Sequence, residues 1–373
     1  MTQIKCSFLQ LVCFLSIAFT AHAQNNAPNI HLGFVYPLST HGTFAKQFDN
    51  DFSLHALTGV SNSEKGCCIA GISNHIHKNA QGLILSGITS TIGADAKAFV
   101  VSGIVSITKG FTNGVQISGI QNYSSRFNGL QLSGFSNISK NTSRGAQIAG
   151  FSNFQKDSLD GLQVAGFSNI AQNAKVQIAG FSNVVLDQVD VQVAGFINKA
   201  KKVNDVQIAG FINIADSSNY PIALINIIKN GDKSLGLQID DDGITMLSFR
   251  SGSKKMYGIL GVGLVPRSNY FSEYGLEAGL GARFPLNWYL SFNVEAAVIT
   301  MSDFYNGAFM KSSLRTFPSL CLGKNLDVFG GPTFSVSTRF NRYYVPLYSW
   351  HEKINQFFMG ANVGFIAGVK YHF

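Results

Sequence analysis

VQIAGFSN, residues Val176–Asn183, is the clearest copy of a phrase that recurs through the middle of the chain. The central glycine returns every 12 to 16 residues, as Gly59, Gly71, Gly87, Gly103, Gly119, Gly134, Gly150, Gly166, Gly180, Gly195 and Gly210. A short, nearly constant period is the sequence mark of a repeat architecture. We therefore predict one small structural unit that is copied in tandem.

The phrase itself indicates how each unit folds. A single straight strand would leave neither face uniformly apolar, whereas a corner at Ala179-Gly180, where glycine frees the backbone, gives two short strands. On that reading Val176 and Ile178 form one inward row, and Gln177 points outward. The second inward row is Phe181, Asn183 and Val185. Stacked coils of 15 to 16 residues predict a β-solenoid over residues 51–232.

Two polar positions recur in the later copies. The glutamines are Gln116, Gln131, Gln147, Gln163, Gln177, Gln192 and Gln207, and the asparagines are Asn122, Asn137, Asn153, Asn169, Asn183, Asn198 and Asn213. Stacked in register, each row forms an amide ladder. The alternative is that the outward glutamines bind a periodic partner such as a glycan. Earlier copies lose the pattern, with Ile84 and Val100 at the glutamine position and Ser90 and Ser106 at the asparagine position.

The repeat also carries a family resemblance. The unit V-Q-[IV]-A-G-F-[SI]-N, at Val176–Asn183, Val191–Asn198 and Val206–Asn213, resembles the exported surface-repeat proteins of Gram-negative bacteria. In that family, tandem G-x-Q-[VI]-x-G-[LF]-x-N units follow a signal peptide. The resemblance covers roughly residues 55–230. It implies a surface or outer-membrane location and no known chemistry.

The first residues have the order of a secretory signal peptide. Lys5 precedes an apolar run from Phe8 to Thr20, and Ala21-His22-Ala23 forms an A-x-A cleavage site. We expect cleavage after Ala23, no lipid anchor, and an N-terminal segment at 24–50 that starts with a β-hairpin. The mature chain then keeps Cys67, Cys68 and Cys321, which are too few for a disulfide framework.

Beyond residue 232 the apolar period changes to two. Along the last segment, apolar Met359, Val363 and Phe365 share one face, and small or polar residues such as Asn362 and Lys370 share the other. Such alternation is typical of an outer-membrane β-barrel, and a final phenylalanine, here Phe373, resembles the C-terminal signal of these proteins. The alternative is a soluble β-sandwich with its apolar faces packed inward.

We predict about eight barrel strands within residues 233–373. They lie near 233–240, 243–251, 255–264, 273–284, 288–300, 310–322, 325–337 and 357–373. Glu277, Arg283 and Glu295 fit a wet lumen or bulk solvent equally, but Gly275, Gly279 and Gly281 favour a crowded barrel interior. The predicted fold is therefore all-β, with an N-terminal β-solenoid followed by a small antiparallel β-barrel.

Composition limits the classes of partner. Charged residues make up 13% of the chain and hydrophobic residues 46%, and the net charge of +8 is not gathered into a basic cluster. We expect no nucleic-acid binding. The expected partners are outer-membrane lipid and either a glycan or a surface protein.

Three short motifs resemble chemical sites in part. His75-Ile76-His77 puts two imidazoles on one strand face without a third ligand, Asp240-Asp241-Asp242-Gly243 lacks the spaced oxygens of an EF-hand, and Gly261-Val262-Gly263 has no helix after it to hold a phosphate. We expect no catalytic residue, no cofactor and no metal.

The long loop at 338–356 is the predicted partner-binding segment. It is rich in the residue types that dominate binding hot spots, although aromatic residues also gather at membrane interfaces. The candidates are Arg339, Arg342, Tyr343, Tyr344, Tyr348 and Trp350.

These features predict a non-enzymatic outer-membrane or surface protein with a structural, adhesive or recognition role. The alternatives are transport of a small solute through the barrel and, last, a glycan-active enzyme on a β-helix. A periplasmic Phe373 and an even strand number put the solenoid on the periplasmic side, unless strands at Phe34–Leu38 and Phe52–Leu54 join the barrel.

Overall fold

The computed structural model describes residues 28–265, 273–302, 308–323, 325–340, 350–354 and 357–373. The protein is all-β. A β-solenoid of about 12 turns is followed by a closed, eight-stranded antiparallel barrel, so the predicted fold class is confirmed.

The solenoid is a stack of parallel strands, two for most turns. Its strands are β1 Ile30–Val35, β2 Leu38–Ser39, β3 Asp49–Ser61, β4 Ser63–Ala70, β5 Ser73–Ile76, β6 Ala80–Ser86, β7 Thr89–Ile92, β8 Ala96–Ser102, β9 Val105–Ser118, β10 Gln121–Ser133, β11 Ser136–Ser139, β12 Ser143–Ala149, β13 Ser152–Ala165, β14 Ser168–Ala179, β15 Ser182–Val185, β16 Gln188–Ala194, β17 Ile197–Lys199, β18 Lys202–Ala209, β19 Ile212–Ala215, β20 Ser217–Ile222 and β21 Ile225–Ile228. A 3₁₀ helix, Gly42–Gln47, joins β2 to β3.

The predicted inward and outward rows of the solenoid are partly wrong. Val176 and Ile178 point outward, and Phe181 stands at the corner with 41% of its surface exposed. Gln177 is fully buried, as are the other glutamines of its row. The error came from placing aliphatic side chains inside, whereas alternation on either side of a buried glutamine puts its two aliphatic neighbours outside. Asn183 and Val185 do point inward, as predicted.

Both amide ladders are present inside the stack. Gln147 Nε2 donates to Gln131 Oε1 at 2.8 Å, and Gln163 Nε2 donates to Gln147 Oε1 at 2.8 Å. Asn137 Nδ2 donates to Asn153 Oδ1 at 2.9 Å and to the carbonyl of Ile148 at 2.8 Å. Glutamine donors point toward earlier turns and asparagine donors toward later turns. The glutamine row therefore cannot be the outward glycan-binding face that we considered.

The corners explain the recurring glycines. A β-carbon added at Gly166 would overlap the carbonyl oxygen of Gly150, one turn earlier, so no larger residue fits there. Gly59 is an exception, because the register pairs it with Asn74 and not with a corner. Ala56 occupies that corner, since its carbonyl faces Gly71. The spacing of 12 residues between Gly59 and Gly71 is irregular because Gly59 lies in a strand and Gly71 lies at a corner.

The first strands belong to the solenoid. β1 pairs in parallel with β3, so that Leu32 lies beside Leu54, and β1 also forms a short antiparallel pair with β2. The segments Phe34–Leu38 and Phe52–Leu54 therefore add nothing to the barrel.

The barrel strands follow without an intervening domain. They are β22 Asp232–Asp240, β23 Thr245–Gly252, β24 Met256–Val265, β25 Glu273–Pro285, β26 Leu290–Ser302, β27 Ala308–Cys321, β28 Leu326–Phe340 and β30 Phe357–His372, and the short β29, Trp350–Ile354, pairs with one end of β30. Pairing of β22 with β30 closes the barrel. These eight strands agree with the predicted ones to within a few residues.

One buried carboxylate, Glu277, links four barrel strands. It accepts hydrogen bonds from Arg315 (Nη1 to Oε1, 2.6 Å), from Gln238 (Nε2 to Oε1, 3.0 Å) and from the Ser248 hydroxyl. Charged groups out of water need such partners. The described interior at this level is therefore packed and not an open channel.

A second carboxylate, Glu295, completes the network. Arg250 binds it with two nitrogens, Nε at 2.8 Å and Nη2 at 3.1 Å, and the Tyr257 hydroxyl donates to it at 2.9 Å. A β-carbon at Gly281 would overlap the Tyr257 ring, which confirms that this glycine suits a crowded interior. Arg283 differs, because it lies near one end of the barrel and pairs with Asp232.

We expect Gln163→Leu to destabilise the solenoid. Leucine has a similar size, but Gln147 Oε1 loses its donor and Gln177 Nε2 loses its acceptor. Each buried amide group left without a partner costs roughly 1–3 kcal/mol. Urea unfolding followed by circular dichroism measures the change. The control is Gln188→Leu at an exposed position, and equal losses in the two variants would contradict the ladder's role.

Candidate interaction surface

The outer side of the solenoid carries an apolar strip. Two outward rows of the first strand of each turn contain no charged residue. One row is Ile30, Phe52, Cys67, Leu83, Phe99, Val115, Leu130, Ala146, Leu162, Val176, Val191, Val206 and Tyr220. The other is Leu32, Leu54, Ile69, Leu85, Val101, Ile117, Leu132, Ile148, Val164, Ile178, Val193, Ile208 and Ile222.

A third row follows the corners and completes the strip. Its members are Leu57, Ile72, Ile88, Ile104, Ile120, Phe135, Phe151, Phe167, Phe181, Phe196, Phe211 and Leu224. The six phenylalanine rings stack with centroids 4.8 to 5.2 Å apart and planes within 15° of parallel. Their spacing matches the distance between strands, so the backbone register sets it.

Charged residues gather where one coil passes into the next, from the linking turn to the first residues of the following strand, and we call this region the turn edge. Asp160 there pairs with Arg144 at 3.2 Å and with Lys175 at 2.5 Å, and Lys201 pairs with Asp187 at 3.7 Å. These side chains are largely exposed, and such pairs contribute little stability. They make the rod amphipathic, with an apolar strip on one part of its perimeter and a charged edge on another.

The strip ends against the barrel. A β-carbon at Gly258 of β24 would overlap the carbonyls of Ala223 and Leu224 at the last corner, so the two backbones are in contact there. Asn226 donates from its backbone to Ser251 Oγ at 3.0 Å and from its side chain to the Ser251 carbonyl at 3.2 Å. The asparagine ladder is thereby continued into β23.

A cluster of three imidazoles fills the other end of the solenoid. The ring centroids of His31 and His41 are 4.4 Å apart, and those of His31 and His55 are 4.5 Å apart. Among the described residues, His31 Nε2, His41 Nδ1 and both nitrogens of His55 are buried without a hydrogen-bond partner. His31 Nδ1 lies 3.3 Å from Asn50 Nδ2.

Burial controls protonation in this cluster. Loss of hydration lowers the pKa values of His31 and His55 to about 4, with a smaller contribution from the neighbouring imidazoles. Burial also raises the pKa of Glu64, which accepts hydrogen bonds from Ser53 and Asn50 in the next layer. Burial at this end of the solenoid therefore favours the neutral forms of His31, His55 and Glu64.

The predicted partner-binding loop is only partly described. Arg342, Tyr343, Tyr344 and Tyr348 lie outside the described residues. Arg339 is in β28 opposite Phe358, and Trp350 is in β29 opposite Ala361, so β30 runs beside both. The loop remains a prediction.

The other motifs have structural explanations. His75 and His77 are exposed on the outside with ring centroids 4.7 Å apart. The carboxylates of Asp240, Asp241 and Asp242 converge, but the Lys311 ammonium lies among them, 2.8 Å from Asp240 and 2.5 Å from Asp242. Ion pairs with Lys311 therefore link this turn to β27.

The glycine motif and the three cysteines lie in strands. Gly261-Val262-Gly263 is inside β24. Cys67, Cys68 and Cys321 are all free thiols.

Described residues line cavities at the end of the barrel that contacts the solenoid. One, of about 300 Å³, is lined by Asp232, Arg283, Asp327 and His372 among others. The other, of about 290 Å³, lies between the last turn and the loop Ser253–Lys255. His372 joins Asp232 and Asp327 across the first cavity at 2.9 and 3.0 Å, so its charged groups are paired with one another.

Sequence reasoning missed the strip and the imidazole cluster. In the sequence the strip corresponds to apolar positions on both sides of every glutamine of the row, which the rule that apolar residues lie inside places in the core. The cluster had no signal, because His31, His41 and His55 follow no known spacing. Pairing of β1 with β3 brings His31 near His55, and His41 joins them from the residue before the 3₁₀ helix.

We expect acid to destabilise the solenoid through His31 and His55. Their folded pKa values lie below the ordinary 6.5, so their contribution is fully present above pH 6.5 and is lost as the pH falls toward 4. Glu64 opposes this effect, because its raised pKa means that protonation of the buried carboxyl group at low pH favours the folded state. A change from pH 7 to pH 5 should lower the thermal midpoint of unfolding, and the double variant His31→Gln, His55→Gln should lose less of its midpoint over the same pH change. The exposed His77→Gln is the control, and an undiminished loss of midpoint in the double variant would refute the assignment.

Comparison with known proteins gave no match to a family model, a curated protein or a solved structure. No helix among the described residues has the length and apolar character needed to cross a membrane.

Proposed function

We propose that this is a non-enzymatic outer-membrane protein with a structural or recognition role, in which the barrel is the anchor and the solenoid is the interaction module. The outer wall of the barrel carries this proposal, because each of the eight strands exposes a large apolar side chain. Examples in strand order are Leu237, Leu247, Val262, Leu276, Val298, Leu314, Phe334 and Val363. A closed sheet with an apolar outside is one of the two structures that lipid tolerates.

The barrel interior supports an anchor more than a pore. Glu277 and Glu295 are no more than 1% exposed, and Arg250, Arg315 and Lys370 share the same interior. A soluble sandwich would bury its apolar faces and expose its charges, which is the reverse arrangement. Eight-stranded barrels are commonly filled by their own side chains. The proposal therefore includes no conductance.

The direction of the chain supports a periplasmic solenoid. Phe373 lies beside the start of β22, since its amide donates to the Lys233 carbonyl. The short turn Ser253–Lys255, which contacts the last solenoid turn, is at this same end. Short turns are periplasmic in outer-membrane barrels.

Membrane fractionation of a Gram-negative host tests the proposal. We expect the full-length protein in the outer-membrane fraction, with different electrophoretic migration before and after boiling, and no conductance in planar bilayers. The matched variants are Leu276→Arg, on the outer wall, and Gln188→Arg, at an exposed position of the solenoid. Arginine facing lipid costs about 2–4 kcal/mol at the bilayer centre, so only Leu276→Arg should reduce the folded form. A soluble protein whose migration is the same before and after boiling would contradict the proposal.

A further inference from the structure

The apolar strip of the solenoid is too large to be left in water. It extends over about 12 turns, which at about 4.8 Å for each strand spacing is roughly 58 Å. Monomeric soluble proteins rarely expose a continuous apolar patch of more than a few hundred Å². Phe151, Phe167 and Phe181 are each about 41% exposed, so the corner ladder remains open to an external partner.

The place where the strip ends indicates the partner. Tyr257 of β24 points into the barrel and binds Glu295, so Gly258 faces outward. Leu224, the last residue of the corner row, contacts Gly258. Along the same outer face of β24, Val262 is 56% exposed. The strip therefore runs directly into the wall that we assign to lipid.

The charges of the rod are placed for the same environment. The strip rows contain no charged side chain, whereas the ion pairs of Arg144, Lys175 and Lys201 lie at the turn edge. Tyr220 is the one strip residue with a hydrogen-bonding group beside the barrel, and Lys255 Nζ lies 3.2 Å from its hydroxyl. Tyrosine and lysine are typical of the boundary between hydrocarbon and head groups.

We propose that the apolar strip lies against the lipid bilayer beside the barrel, with the turn edge toward water. This inference rests on the outer-membrane location proposed above. Lipid is preferred to a second copy of the chain because the strip continues an existing lipid-facing wall. The solenoid is then a rod that covers membrane surface instead of projecting from it.

Fluorescence quenching tests the proposal in the full-length protein. Cys67, Cys68 and Cys321 are first replaced by alanine, and one cysteine is then introduced for a bimane label. The protein is reconstituted in phosphatidylethanolamine and phosphatidylglycerol vesicles that contain nitroxide-labelled lipid. Boiling-dependent migration identifies the variants that fold, and only those are compared.

The label positions separate the possible outcomes. Val262→Cys reports the barrel wall, Phe151→Cys reports the strip, and Lys156→Cys reports the turn edge of the same turn as Phe151. Ile148→Cys is a second strip label in the outward row beside the buried glutamines. We expect strong quenching at 262, 151 and 148 and at least threefold weaker quenching at 156.

The failures of the two proposals differ. Quenching at 262 without quenching at 151 and 148 would overturn the strip proposal and leave the outer-membrane barrel intact. Absence of quenching at 262 would overturn the outer-membrane location and, with it, the strip proposal. Equal quenching at 151 and 156 would also overturn the strip proposal. Disulfide dimers of Phe151→Cys without quenching would overturn it in favour of a second copy of the chain.

Discussion

The hydrogen bond between stacked side-chain amides is the interaction on which this molecule depends. An amide buried alone is costly, but an amide bonded to the same residue one turn away is satisfied at each end. The glutamine row repeats this bond from Gln116 to Gln207 and the asparagine row from Asn122 to Asn226. With polar groups satisfied inside, the aliphatic neighbours of each glutamine necessarily face outward.

The same dependence explains the corners and the junction. Each ladder bond needs a constant separation between turns, and the corner glycines permit it because a β-carbon would push successive carbonyls apart. The asparagine ladder continues into the barrel, because Asn226 bonds to Ser251 of β23. Inside the barrel, buried polarity continues as ion pairs around Glu277 and Glu295. The polar interior is thus shared by two different β architectures.

Much of the fold could be predicted from periodicity. The 15- to 16-residue repeat predicted the solenoid, and the two-residue alternation predicted the eight strands of the barrel. The aligned Gln and Asn positions predicted the amide ladders. The orientation of Val176, Ile178 and Phe181 could not be predicted by placing apolar residues inside, because the partners that satisfy Gln177 come from other turns. The candidate surface was missed for the same reason. The position of Gly59 was misread because spacing alone does not reveal register.

The opposite donor directions in the two ladders have an electrical consequence. In a single ladder the amide dipoles would add along the axis, as peptide dipoles do in a helix, and charge would build up at the two ends. Here the glutamine dipoles run against the asparagine dipoles, so the sum along the rod is small. The electrostatic potential at the ends of the rod therefore does not grow with the number of turns. A stack of this kind can gain or lose turns while the electrostatic environment of its ends, including the junction with the barrel, stays the same.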